Sequence, residues 1–148
     1  MPRVRRSVTV DALPEQVWRT VCDPHHLPRW WPNVQRVEGV DRDRFTEALS
    51  SEKGRSVRAD FRVLESRAPE VRRWAQEVAG SPFERLLRSA ETEVRIEPDG
   101  HGAARVTVTI RQRLRGFGAF GALVVRRAAR RQADEALAAL VRLHERSR

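Results

Sequence analysis

Apolar and polar residues alternate along much of the middle of this chain, which is the pattern of half-buried β-strands. The alternation is clearest between residues 57 and 63, where charged residues separate Val57, Ala59, Phe61 and Val63. Similar patterns, bounded by turn residues, predict further strands at 3–10, 34–40, 45–49, 71–78, 90–96 and 106–110. Because each such strand has one apolar face, we expect an antiparallel sheet that buries one side.

Helical periodicity replaces this alternation at both ends of the chain. From Ala122 to about Arg146 there is no glycine or proline, and one stripe of this segment is apolar or small, which predicts a long amphipathic helix. That stripe comprises Val125, Ala129, Gln132, Ala133, Ala136, Leu140 and Leu143. Near the N-terminus, Pro14 suits the first position of a short helix, and Asp23-Pro24 predicts the start of another. The glycine-punctuated segment 116–121 predicts a hinge before the long helix.

Two adjacent tryptophans, Trp30 and Trp31, lie between Pro28 and Pro32. The two prolines prevent a long helix and predict a kinked helical turn. Two neighbouring indole rings are costly to leave in water, so we expect one of them to anchor the core.

The simplest way to bury these faces is to lay the long helix across the apolar face of the sheet. The two short N-terminal helices then fill the gap between the sheet edges. The predicted fold class is therefore α+β. With 148 residues and a mass of 17.0 kDa, residues 1–148 are expected to form a single domain.

Three pieces of sequence carry a resemblance to a known superfamily. They are Leu27-Pro28-Arg29-Trp30-Trp31-Pro32, the segment Gly102-Ala103-Ala104-Arg105-Val106 that leads into the last strand, and the glycine-punctuated segment before the final helix. Together with the strand–helix–short helix–strand order of the first forty residues, they make the whole chain resemble the START-like (SRPBCC) helix-grip superfamily. That superfamily includes polyketide cyclase/dehydrase-like and lipid-transfer proteins. The resemblance implies a helix-grip fold, with the antiparallel sheet wrapped around the long C-terminal helix, and a hydrophobic ligand pocket. It does not imply an enzyme.

The chain carries a formal net charge of +9, almost all of it from arginine, since Lys53 is the only lysine. Such a charge could serve nucleic acid, an anionic membrane surface or an acidic partner. The arginines are spread along the chain and interleaved with acidic residues, which favours an ordinary solvated surface. We therefore expect no specific nucleic-acid binding.

Cysteine content and hydropathy limit the class of protein further. The single cysteine, Cys22, excludes an internal disulfide framework. No apolar run approaches the roughly 20 residues of a membrane span, and the positive N-terminus is not followed by an apolar stretch typical of a secretory signal. A cytoplasmic location is the default expectation.

Recognisable catalytic motifs are absent from the sequence. It has no nucleophile elbow, phosphate loop or dinucleotide-binding glycine pattern, and paired carboxylates are not evident. His25 and His26 are adjacent rather than at metal-ligand spacing. Catalytic residues therefore stay unassigned, and no metal or cofactor is expected.

Polar residues on otherwise apolar faces are the better indication of a site. Gln76 shares a strand face with Trp74, Gln112 shares one with Ile110, and Gln132 lies on the helix stripe. A buried amide without a partner costs about 1–3 kcal/mol, so these amides would orient a ligand in a mostly apolar pocket. The alternative is that they lie at element ends and contact water. Aromatic residues in the loops would rim the cavity mouth. The predicted ligand-binding residues are Phe61, Trp74, Gln76, Phe83, Leu87, Gln112, Phe117, Phe120 and Gln132.

The sequence thus predicts a binding or carrier protein for a small hydrophobic molecule, either a lipid or a polyketide-like compound. One alternative is a polyketide aromatase/cyclase-like enzyme, in which pocket shape and a few polar groups direct ring closure. The other is a basic interaction module for nucleic acid or a membrane surface. The ligand and the oligomeric state stay open.

Overall fold

A computed structural model describes residues 3–50, 54, 56–116 and 118–145. In chain order the described elements are β1 (Arg3–Val10), α1 (Pro14–Val21), a 3-10 turn (Pro24–His26), α2 (Leu27–Trp30), β2 (Val34–Glu38), β3 (Arg44–Ser50), β4 (Ser56–Arg67), β5 (Val71–Gln76), a second 3-10 turn (Pro82–Arg85), β6 (Leu87–Pro98), β7 (Ala104–Leu114) and α3 (Ala119–Leu143). The predicted α+β class is confirmed, with an antiparallel sheet, a long C-terminal helix and short N-terminal helices.

The strands of the described residues form one seven-stranded antiparallel sheet in the order β1-β7-β6-β5-β4-β3-β2. Strands β2 to β6 each pair with the next strand along the chain. Only β1 departs from chain order, because it pairs with β7: Arg3 lies opposite Arg111 and Val10 lies opposite Ala104.

Helix α3 packs across the buried face of this sheet, mainly against β1 and β7. Its contact surface is made of small residues, and Ala129, Ala133 and Ala136 are all almost fully buried. Small side chains let a helix approach a sheet closely, so this part of α3 closes the core. Leu137 and Leu140 complete the contact and are also buried.

Both tryptophans of the proline-bracketed segment are buried, which confirms the expected core anchor. Trp30 is 2% exposed and Trp31 is 6% exposed. Their rings meet edge to face at a centroid distance of 5.4 Å, and Trp31 meets Trp74 of β5 in the same way at 5.9 Å. Trp31 thereby links α2 to the centre of the sheet.

Most element boundaries differ by a few residues from the sequence prediction, and two of the differences have a clear local cause. Helix α3 begins at Ala119 rather than Ala122, because Gly118 is its N-cap, so residues 119–121 belong to the helix and not to a hinge. Strand β4 continues to Arg67, beyond the predicted end at Val63. A register shift between Val63 and Glu65 interrupts the alternation there, which is why the alternation alone predicts too short a strand.

Candidate ligand cavity

A cavity of about 290 Å³ lies between the sheet and the part of α3 from Val125 to Gln132. Most of its wall is apolar and includes Trp31, Phe61 and Trp74. The polar members of its wall are Glu47, Gln76, Thr92, Gln112 and Gln132. A larger hollow of about 710 Å³ near Ser81 and Arg115 is an open surface depression with mostly polar or charged lining, so it is a poorer candidate for an apolar ligand.

Strand register brings two of these polar groups to one side of the sheet. Gln76 lies opposite Phe61 in the β4–β5 pair, while Gln112 lies two residues beyond Ile110 on β7. Because side chains alternate along a strand, Gln76 and Gln112 face the same side as Trp74 and Ile110. This placement agrees with the face predicted from the sequence.

The structure brings together most of the residues predicted to bind a ligand. Those that line the cavity are Phe61, Trp74, Gln76, Phe83, Leu87, Gln112 and Gln132. Phe120 does not line it, and its side chain is 80% exposed on the first turn of α3. Phe117 lies outside the described residues. Ligand binding by these residues stays a prediction.

The side chain of Gln76 has an unfilled hydrogen-bonding group. Its Nε2 atom is buried and has no hydrogen-bond partner in the structure. An unpaired buried donor costs free energy, and Gln76 lies in the cavity wall. A ligand oxygen in the cavity would give this N–H group its missing acceptor.

A groove along α3 adjoins the cavity. The groove is lined by Pro32, Asn33 and Arg131 among others, and it shares Gln112 and Gln132 with the cavity. These two amides are half-buried. They therefore lie at the boundary between groove and cavity, where each can contact water as well as a ligand.

Glu47 of β3 is the ionisable residue among the cavity residues that the sequence did not predict, which also include Leu49, Ala90 and Thr92. It is 3% exposed, it lines the cavity, and its carboxyl group has no hydrogen-bond or ion-pair partner among the described residues. Its neighbours in the sheet, Val37 and Ala59, are apolar. Burial raises the pKa of Glu47 to about 8, so the carboxyl group is mostly protonated at neutral pH. The sequence held a signal for this placement, because Glu47 lies between the apolar residues Phe45 and Leu49 on one strand face.

The cavity wall has no cationic side chain, although the whole chain is strongly basic. Glu47 is the ionisable residue among the described wall residues. The other largely buried charged side chain on this face, Arg72, donates a hydrogen bond from Nη1 to Ser66 Oγ at 2.9 Å. Burial lowers the pKa of Arg72, the carboxylate of Asp23 opposes that effect, and Glu47 does not act on it. The cavity itself is therefore close to neutral.

Neither a metal-binding group nor a membrane-spanning helix is present in the described part of the chain. It contains no group of three or more His, Cys, Asp or Glu residues placed to hold a metal ion. None of its helices is long and apolar enough to cross a membrane.

Comparison with known proteins gives a family and a fold. A family model described as polyketide cyclase / dehydrase and lipid transport matches residues 1–145. No curated protein matches the chain in a sequence search.

Solved structures with the same fold have low sequence identity to the chain. The di-domain ARO/CYC BexL from the BE-7585A biosynthetic pathway superposes with a TM-score of 0.79 at 24% identity over 96% of this chain, which spans 46% of that protein. A START superfamily protein from Mycobacterium smegmatis gives 0.78 at 16% identity, with 96% of each chain covered. The Zhui aromatase/cyclase from Streptomyces sp. R1128 gives 0.77 at 17% identity over 97% of this chain and 93% of that one. At these identities the likeness shows the fold alone.

Proposed function

This chain belongs to the polyketide cyclase / dehydrase and lipid transport family, and on that premise we propose that it binds and carries a small, mostly hydrophobic molecule in the cavity beneath α3. The observation that carries the proposal is a largely apolar cavity of about 290 Å³ whose few polar groups include a buried amide without a partner. Apolar walls with a small number of placed polar groups are typical of small-molecule sites. A cytoplasmic location and a single domain over residues 1–148 belong to the same proposal and rest on the sequence expectation.

The cavity volume limits the size of the ligand. It lies at the lower end of the range of about 300–1,000 Å³ found for small-molecule sites. This volume favours a compact ligand of two or three fused rings, or a short chain, over a complete two-chain phospholipid. A polyketide-like ring system meets this limit.

A hydrocarbon titration tests the proposal. We expect 2-ethylnaphthalene to bind with one-to-one stoichiometry and to change the fluorescence of the cavity tryptophans Trp31 and Trp74. The Ala90→Leu variant adds bulk to the cavity wall and should weaken this binding at least tenfold.

The matched control is Ala75→Leu, which adds the same bulk on the opposite face of β5, where Ala75 lies opposite Arg62 and Glu91. It should bind 2-ethylnaphthalene like the parent. Equal affinity of the parent and the Ala90→Leu variant, or no binding to the parent, would contradict ligand binding in this cavity.

A second candidate function is an aromatase/cyclase-like enzyme, and Glu47 is the observation that favours it. Ring closure of the aldol type turns a ketone into an alcohol, so the ketone oxygen must gain a proton. General acid catalysis is most effective when the pKa of the acid lies near the working pH, and the pKa of Glu47 is raised to about 8 by burial. Such a ring closure removes a proton from the attacking α-carbon and adds one to the ketone oxygen, so it leaves the mass of the ligand unchanged. A carrier returns its ligand with the same structure whereas a cyclase does not, so the NMR spectrum of a bound poly-β-ketone recovered after incubation distinguishes the two.

A further inference from the structure

We propose that the cavity selects neutral ligands bearing a hydrogen-bond-accepting carbonyl group, and that the Glu47 carboxyl group donates a hydrogen bond that recognises the carbonyl oxygen. This inference rests on the proposed function and adds the chemical class of ligand to it. It also narrows the sequence-based expectation, in which any lipid or polyketide-like molecule would serve.

The position of Glu47 gives the first argument. The side chain is 97% buried, as its 3% exposure shows, it lines the cavity, and the structure gives its carboxyl group no partner among the described residues. A buried polar group without a partner destabilises the fold. A ligand that accepts a hydrogen bond from this group would remove that cost.

Gln76 gives the second argument, because its buried Nε2 atom also has no partner. Phe61 lies opposite Gln76 in the sheet, and Glu47 lies opposite Ala59 on the same strand β4. Two strand spacings of about 4.8 Å separate β3 from β5, so a two-ring ligand placed over Phe61 can reach both groups. Both would then be donors, and both would require ligand acceptors.

Electrostatics gives the third argument. The groups that face Glu47 are neutral: Val37 on β2, Ala59 on β4, and the amides of Gln76 and Gln112 across the cavity. With the pKa of Glu47 raised to about 8 by burial, the carboxyl group is a donor at neutral pH. A ligand carboxylate would meet no cation in this wall, so free fatty acids are excluded. A ligand amine could take the proton of Glu47, but it would leave Gln76 without an acceptor.

Four matched naphthalenes separate these possibilities: 2-acetonaphthone, 2-naphthoate, 2-naphthylmethylamine and 2-ethylnaphthalene. They share one ring system and differ in the group offered to Glu47. Affinities are measured by calorimetry at pH 7 and pH 9. The ketone should bind at pH 7 and about tenfold more weakly at pH 9, because the protonated fraction of a group with a pKa near 8 falls tenfold over that interval. The hydrocarbon should show no such change, and the carboxylate should not bind at either pH.

Three variants assign the effect to Glu47. Glu47→Gln keeps a neutral donor of the same shape, so it should retain ketone binding and lose the tenfold pH dependence. Gln76→Leu should weaken ketone binding at both pH values and keep the tenfold ratio between them. Glu97→Gln makes the same chemical change at an exposed position of β6 and should behave like the parent.

Three results would overturn the inference. They are ketone binding independent of pH in the parent, binding of 2-naphthoate as strong as that of the ketone, and tightest binding of the amine at pH 9. The parent pH profile needs no variant, so the test holds even if Glu47→Gln does not fold. If 2-ethylnaphthalene also fails to bind, the proposed function itself is wrong; if it binds and only the selectivity differs, the proposed function stands and this inference falls.

Discussion

Among single residues, Glu47 is the one whose proposed function most clearly lowers the stability of the fold. A carboxyl group at the centre of a strand, almost fully buried and without a partner, destabilises the fold once it ionises. Burial raises the pKa of Glu47 from 4.5 to about 8, and the carboxyl group therefore stays mostly neutral at neutral pH. Such strongly shifted groups in a cavity are more common at functional sites than elsewhere.

Stability should therefore depend on pH through Glu47. Between about pH 4.5 and pH 8 the folded state holds the proton and the unfolded state has lost it, so the free energy of unfolding falls as the pH rises. A shift of this size corresponds to at most about 4–5 kcal/mol, at about 1.4 kcal/mol per unit. The free energy of unfolding of both proteins is measured with urea at pH 5 and pH 8.5. Between these two pH values, the difference in stability between Glu47→Gln and the parent should change by up to about 4 kcal/mol in favour of the variant.

The same measurement on Glu97→Gln is the control, since that side chain is exposed. It should follow the parent at both pH values. If the Glu47→Gln and parent curves stay parallel from pH 5 to pH 8.5, then Glu47 ionises normally in the folded protein, and its assignment as a buried proton donor is wrong.

Which site residues the sequence could predict depended on the regularity of their strands. Gln76 and Gln112 follow Trp74 and Ile110 in regular alternation, so their face was predictable. Glu47 lies between Thr46 and Ala48, and both of these residue types can lie on the buried or the exposed face of a sheet. The alternation in this strand is therefore less clear. A strand glutamate is ordinarily solvated, so its position between Phe45 and Leu49 is a weak signal, and the cross-strand neighbours Val37 and Ala59 establish its burial.

At the scale of elements, α2 is a four-residue helix that depends on packing rather than on its own propensity. Helices this short are not stable alone, and α2 buries Leu27 and Trp30. Trp30 contacts Trp31, which in turn contacts Trp74. The short helix is therefore held by its tryptophans.

Trp30→Ala should destabilise the protein by about 3–5 kcal/mol, because it removes a fully buried indole and leaves a void. Trp31→Ala should cost less, since Trp31 already borders the ligand cavity and its loss enlarges an existing space. Chemical denaturation of both variants gives the two values, and Trp30→Phe should recover part of the loss. Parent-like stability of both alanine variants would contradict the anchoring role of α2.

The boundaries of elements were harder to predict than their existence. All seven strands of the described residues correspond to predicted strands, because apolar faces set the register. Phe120 was expected in a loop at the cavity rim, but Gly118 caps α3 one residue before its first turn. The helical period then determines the direction of Phe120, which is turned into solvent.

At the scale of the whole molecule, much of the basic charge is neutralised locally on the outer face of the sheet. Arg36 and Arg58 both contact Glu38, at 2.7 Å and 3.0 Å. The hydrogen bond from Arg58, and to a smaller extent the one from Arg36, lower the pKa of Glu38 to about 2. Arg73 contacts Glu91 at 2.7 Å. A second group of arginines lies exposed on α3, at positions 126, 127, 130 and 131.

We therefore expect only weak, salt-sensitive binding to nucleic acid. Fluorescence anisotropy with a labelled DNA duplex at physiological salt should give a Kd of about 1 μM or weaker, the range of non-specific binding. Replacing all four exposed α3 arginines by glutamine should make this Kd less dependent on the salt concentration. A sub-micromolar Kd at that salt concentration would favour the basic interaction module over the carrier.

The pairing of β1 with β7 also has a consequence for biosynthesis. Strand β1 leaves the ribosome before every other described element, yet its one partner strand is β7, so it stays unpaired until nearly the whole sheet has been made. Pairing between strands so distant in the chain slows folding, and an apolar strand that waits unpaired can associate with other nascent chains. Arg3, Arg5 and Arg6 alternate with or adjoin the apolar positions of β1, and charges on an unpaired strand oppose such association. We therefore expect these arginines to limit association of the chain during its synthesis, before the folded protein exists.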